Sequence, residues 1–170
     1  MERAGASRFA QRQIDPQRRL APVANLCVKP MSDTPFEKAN WTPRALEVFA
    51  TAKALALPNP IRPRDLLLAM EAGDTVARRV FKKLSMLPSA VLNQTAPASL
   101  LPDGELCFED FENDFGRNLP GLAAAEAMSM GWVYLGTEAL LLLLARQGVA
   151  GFDLPYDQIR EIVPGVISAV

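Results

Sequence analysis

The sequence predicts an all-α fold, and three observations carry that prediction. Apolar side chains recur every three or four residues from Trp41 onward, and strand-type alternation is nowhere sustained. Thr, Pro and Gly punctuate these segments where helix ends need them. Five consecutive leucines, Leu140–Leu144, lie in an apolar run from Ala139 to Ala145, bounded by Glu138 and Arg146. That run is too short for a membrane span, which takes about 20 residues. A helix apolar on every face is buried by neighbours on several sides, so this one is expected at the centre of a small bundle.

Each element follows in order. In WTPRALEVFATAKALAL, Thr42 suits an N-cap and Pro43 the first helical position, where its missing N–H costs nothing. Ala45, Phe49, Ala52 and Ala56 form the stripe, widened by Leu46 and Val48, and Pro58 and Pro60 stop the helix. A second helix is expected in IRPRDLLLAMEAGD, opened by Pro63 and closed by Gly73. A third, DTVARRVFKKLSM, is expected to be capped by Asp74, with Val76, Val80 and Leu84 inward and Arg78, Arg79, Lys82 and Lys83 opposite. LPSAVLNQ gives a short fourth turn or helix. NQTAPASLLPDGEL is a connector. ELCFEDFENDF is a linker with aromatic anchors and one short helix at most, and the carboxylates from Asp103, just before it, to Asp114 have no basic neighbour among them. It is either a solvated acidic loop or a docking surface for a basic partner. Pro120 is expected to open GLAAAEAMSM, ending at Gly131, and Thr137 to cap EALLLLLAR. LPYDQIREIV gives a last helix with Ile159, Ile162 and Val163 inward.

Composition narrows the function. With 49% hydrophobic residues in 170 the chain suits one globular domain with tails, or two very small ones. The net charge of −1 gives no electrostatic footprint for nucleic acid. Residues 1–30 hold six basic and two acidic side chains, and the remainder twelve and seventeen. No apolar stretch of secretory type opens the chain. Residues 1–40 are expected to be a disordered tail or a mis-assigned start ahead of Met31; an Arg-rich transit peptide is the third alternative. A cytoplasmic location follows, with a plastid or other organelle left open. Histidine is absent, which removes the commonest general base and zinc ligand. Cys27 and Cys107 are expected as free thiols. No enzyme activity, metal or cofactor is expected.

The chain also repeats itself. A capped helix, a turn and DLLLAM are echoed by a helix, a turn and TEALLLLLA, so that Leu66–Leu68 stand where Leu140–Leu142 stand. Two pseudo-repeats of about four short helices would then form one globular bundle, residues 41–96 and 118–170, joined by the acidic linker 97–117. WTPRA at Trp41–Ala45, DTVARRVFKKLSM at Asp74–Met86 and MGWVYLGTEALLL at Met130–Leu142 resemble, in that order, the Clp N-terminal (repeat) domain found at the front of the Clp chaperone ATPases. The departures are a first repeat without the G-T-E element, with PNPIRPRD in its place, Asp65 and Ala139 at the family's histidine positions, and Pro120-Gly121 interrupting a normally longer helix.

The resemblance implies a docking platform. No G-x-x-x-x-G-K-[ST] phosphate loop occurs in these residues, so they hold no ATPase engine. A non-catalytic protein-binding module is expected, an adaptor or accessory factor in Clp substrate recognition. Its partners would be Clp ATPase or peptidase subunits, adaptors or client proteins, without nucleic acid or membrane. The alternative is a structural or regulatory helical protein, such as a decayed Clp ATPase paralogue. Some domains of this family bind phosphoarginine through the acidic residue of G-T-E, which Glu138 matches; a carboxylate pairs bidentately with a guanidinium. The competing role for Thr137 and Glu138 is to start the leucine helix as cap and dipole partner. The binding candidates are Glu138, Thr137, Trp132, Tyr134 and Thr42; Trp132 and Tyr134 either pack the turn or face a partner.

Overall fold

A computed structural model describes Lys38 and residues 40–169. The expectations for the tail and for Cys27 therefore lie outside the described residues, apart from Lys38 and Asn40. Among the described residues there are seven α-helices and no strand. None of these helices is long and apolar enough to cross a membrane.

Helix α1 spans Pro43–Ala56, and the Ala45 N–H donates to Thr42 Oγ1 at 3.3 Å. Of its expected stripe, Ala45, Val48, Phe49, Ala52 and Ala56 are buried, while Leu46 is only partly so. Helix α2, Pro63–Glu71, begins with the buried Asp65 accepting the Arg62 N–H at 2.9 Å. Helix α3 spans Val76–Leu84 and corrects two expectations. Its cap is Thr75, whose hydroxyl accepts the Arg78 N–H at 2.9 Å and donates to the Met70 carbonyl at 2.6 Å. Asp74 sits one residue too early and pairs with Arg79 instead. The inward face is Ala77, Val80 and Phe81, whose ring is fully buried and meets Phe152 edge-on; Val76 and Leu84 only flank the core. Helix α4 is the short Pro88–Val91.

The connector then runs without regular structure to a 3₁₀ turn at Phe108–Asp110. Phe111 is buried and meets Phe49 and Phe115 edge-on, at centroid distances of 5.9 and 6.2 Å. Helix α5 spans Phe115–Ser129, so Pro120 lies inside it rather than at its start. The proline forfeits the hydrogen bond to the Gly116 carbonyl. Burial of Leu119, Ala123 and Ala127 along one face carries the helix through the interruption. Gly131, at φ 76°, then closes α5: the N–H groups of Gly131 and Trp132 bond the carbonyls of Met128 and Ala127, the Schellman arrangement.

Helix α6, Thr137–Gln147, is the centre of the bundle. It touches α1, α2, α3, α5 and the last helix, α7, Tyr156–Ile167. All five leucines are at most 1% exposed. In α7, Ile159 and Val163 are buried as expected, Ile162 is partly so, and Val166 joins them. The chain neighbours α1–α2 and α5–α6 make the two most extensive helix pairings.

Two short parallel bridges tie the helix starts together. Leu135, two residues before α6, pairs with Trp41: its N–H donates to the Asn40 carbonyl at 2.8 Å and its carbonyl accepts from Thr42 at 2.9 Å. Ile61, two residues before α2, pairs with Phe111 in the same way, through the Asp110 carbonyl at 2.6 Å and the Glu112 N–H at 2.8 Å.

Candidate functional site

The Trp41–Leu135 bridge sets the start of α6 against the start of α1. There Thr42, Thr137 and Glu138 line one cavity of about 330 Å³. Arg44 from the first turn of α1, and Asp74, Val76 and Arg79 from the α2–α3 region, complete the wall. Three of the five sequence-derived candidates are therefore brought together. Trp132 and Tyr134 stand in the α5–α6 turn and do not line this cavity. Trp132 packs partly against the core, while Tyr134 is 67% exposed and its neighbour Val133 85%.

One expectation about this site needs correction. Thr137 is not the N-cap of α6. Gly136 is, and its carbonyl accepts the Leu140 N–H at 3.2 Å; Thr137 is the first helical residue and is buried. Glu138, the next residue, is half-buried. Its carboxylate folds back over Gly136, so closely that a β-carbon at position 136 would collide with it. Gly136 has an extended backbone, so only this close approach, and not a left-handed φ, favours glycine there. Burial raises the Glu138 pKa above its ordinary value, and a bond to its own backbone N–H partly offsets this.

The cavity carries both signs of charge. Arg79 grips Asp74 with two bonds, at 2.7 and 3.0 Å, which holds the Asp74 carboxyl below the usual range and the Arg79 guanidinium above its own. Arg44 donates to Glu47 at 2.6 Å on the rim. The sequence singled out neither Arg44 nor Arg79 for this site. The R of WTPRA was the available signal for Arg44; Arg79 is 59 positions from Glu138 and reaches it only through the tertiary fold.

A second polar group was not foreseen. Glu126 of α5 is buried, forms an ion pair with Arg146 of α6, and accepts from the Tyr156 hydroxyl of α7 at 2.8 Å. Arg146 also lies over the Tyr156 ring, 4.7 Å from its centroid. Glu126 and the Tyr156 hydroxyl hold the Arg146 pKa above its ordinary value. In the acidic linker, Asp103, Asp110 and Glu109 pair with Lys38, Lys53 and Arg117. Those three carboxylates face the chain's own cations. No group of three or more Cys, Asp or Glu placed to hold a metal forms among the described residues.

No protein-family model matches the chain, and comparison with curated proteins finds no significant match.

Proposed function

We propose that this chain is a non-catalytic protein-binding module of the Clp N-terminal domain type, an adaptor or accessory factor in Clp-linked substrate recognition. The observation that carries the proposal is the pair of crossed bridges. Leu135 relates to Trp41 as Ile61 relates to Phe111, with the same two backbone bonds on each side. This equivalence matches α1–α2 to α5–α6, as the leucine repeat in the sequence does, and supports reading the fold as two related halves.

Within that reading the Glu138 cavity is the recognition site. A guanidinium would take the Glu138 carboxylate, and a phosphoryl group attached to it would meet Arg44 and the helix start. Phosphoarginine on a client protein has this combination of charges. Thr42 and Thr137 supply the uncharged part of the wall.

Two measurements test the proposal. Calorimetric titration with free phosphoarginine should give saturable binding that falls at least tenfold in Glu138→Ala, about the contribution of one charge-assisted pair. No heat with the wild-type chain removes the ligand assignment. A cross-linking pull-down should retain Clp ATPase or peptidase subunits; their absence favours a structural or regulatory helical protein without Clp partners.

A further inference from the structure

The wall of the Glu138 cavity holds two arginines, and neither pairs with Glu138. Arg44 stands in the first turn of α1, and Arg79 stands in α3. Each is held by an acid close to it in the chain. Arg44 donates to Glu47 at 2.6 Å. Arg79 donates from Nε and from a terminal nitrogen to the two oxygens of Asp74, at 3.0 and 2.7 Å. The Glu138 carboxylate is left to itself: burial raises its pKa, and only its own backbone N–H opposes that.

This is not the pairing that solvation alone favours. A half-buried carboxylate gains more from a cation than an exposed one does, because less water screens the pair. The Asp74 side chain is 70% exposed. What keeps Arg79 on it is geometry, the two-bond fork in which a guanidinium matches a carboxylate. The Arg79 bond lowers the Asp74 pKa most, and the charges of Arg79, Arg44 and Arg78 lower it further. We propose that Asp74 is a positioning residue of the Glu138 site: it holds the Arg79 guanidinium off Glu138 and so leaves that carboxylate open to a guanidinium from outside. Without Asp74 the cavity fills itself, since Arg79 carries the required group and lines the same wall. The consequence for binding rests on Glu138 being the recognition carboxylate; the hold on Arg79 does not.

The test follows the Glu138 side-chain carboxyl carbon by NMR against pH, in the full-length chain without ligand. Asp74→Asn should lower the Glu138 pKa, because the freed Arg79 pairs with it. In an Arg79→Gln background the same change should leave the Glu138 pKa where it was. No other arginine is free to swing over: Arg44 stays with Glu47 and Arg78 with the Gly73 carbonyl. Asp74→Glu, which keeps a carboxylate for the fork, should titrate as the wild type does. Equal drops in the two backgrounds mean that Asp74 acts on Glu138 through its charge alone; no drop in either means that Arg79 never reaches Glu138. Each overturns the proposal. Asp74→Ser replaces Asp74→Asn if that variant fails to fold. Calorimetry with free phosphoarginine gives a second reading. Affinity should fall about tenfold in Asp74→Asn, the factor expected when Arg79 blocks Glu138 in about nine molecules of ten. A purely electrostatic Asp74 predicts the reverse, because its loss removes a charge that repels the phosphoryl group. Tighter or unchanged binding in Asp74→Asn overturns the link to recognition. No heat with the wild type removes the phosphoarginine assignment, and the carboxyl titration then decides the role of Asp74 by itself.

Discussion

Glu138 is a carboxylate held where its charge is poorly solvated, and its pKa is raised for that reason. The sign of the consequence follows from linkage. The folded state binds the proton more tightly than the unfolded state, so Glu138 favours folding at low pH. That contribution is lost as pH rises from the ordinary glutamate value through the higher folded value. Glu138→Gln should therefore flatten this descending part of the stability–pH curve, measured as thermal midpoint against pH, and leave the acid limb unchanged. A slope identical in the two proteins would mean that the carboxylate is solvated. Gly136→Ala tests the same contact from the other side. A flexible carboxylate can swing away, so the fold should survive with a change of about 1 kcal/mol or less, while affinity for a guanidinium ligand drops. The sequence placed Glu138 in the first turn of α6 and recognised its value to the helix dipole. Its burial was not legible, because the walls come from α1 and the α2–α3 region, far away in the chain.

Helix ends decide the next scale. Thr75 and Asp74 are adjacent candidates for the α3 cap, and only burial separates them. The Thr75 hydroxyl makes two bonds while 1% exposed; Asp74 is exposed and pairs with Arg79 on the surface. Thr75→Ala should cost about 1–2 kcal/mol, the upper part of the cap range. Asp74→Ala should stay within about 0.5 kcal/mol, as exposed pairs do. Urea denaturation of the two variants distinguishes them, and equal losses would return the cap to Asp74. The leucine helix was legible from its run of residues alone, since no other environment suits an all-round apolar helix. The α5 start was not. Pro120 is a strong local signal for a helix beginning, and the buried face through Leu119 and Ala123 overrides it. The α3 face was misjudged by about one residue because Ala77 and Phe81 sit beside Val76 and Leu84 on nearly the same arc. Glu126 was invisible for a different reason: its partners lie 20 and 30 positions away.

Across the described residues, the N-terminal and C-terminal segments complete one another. The start of α6 is bonded to the start of α1, and the start of α2 to the residues before α5. The α3 helix of the first half packs on α7 of the second, and α6 touches α1, α2 and α3. Neither half can bury its leucine helix with its own residues: Leu66 and Leu67 share one core with Leu140–Leu144. A stack of two units that each need the other behaves as one cooperative unit. Residues 38–100 and 101–169 prepared as separate peptides should therefore show little helix by circular dichroism. Mixed in equal amounts they should gain helix and dispersed amide resonances together, in a concentration-dependent way, because association restores both crossed bridges and the shared core. Leu141→Asp in the second peptide should abolish that gain, since an unpaired charge in this core costs several kcal/mol. A first peptide that folds alone would place most of the cohesion within halves. The bridges would then be secondary contacts between two independently folding segments.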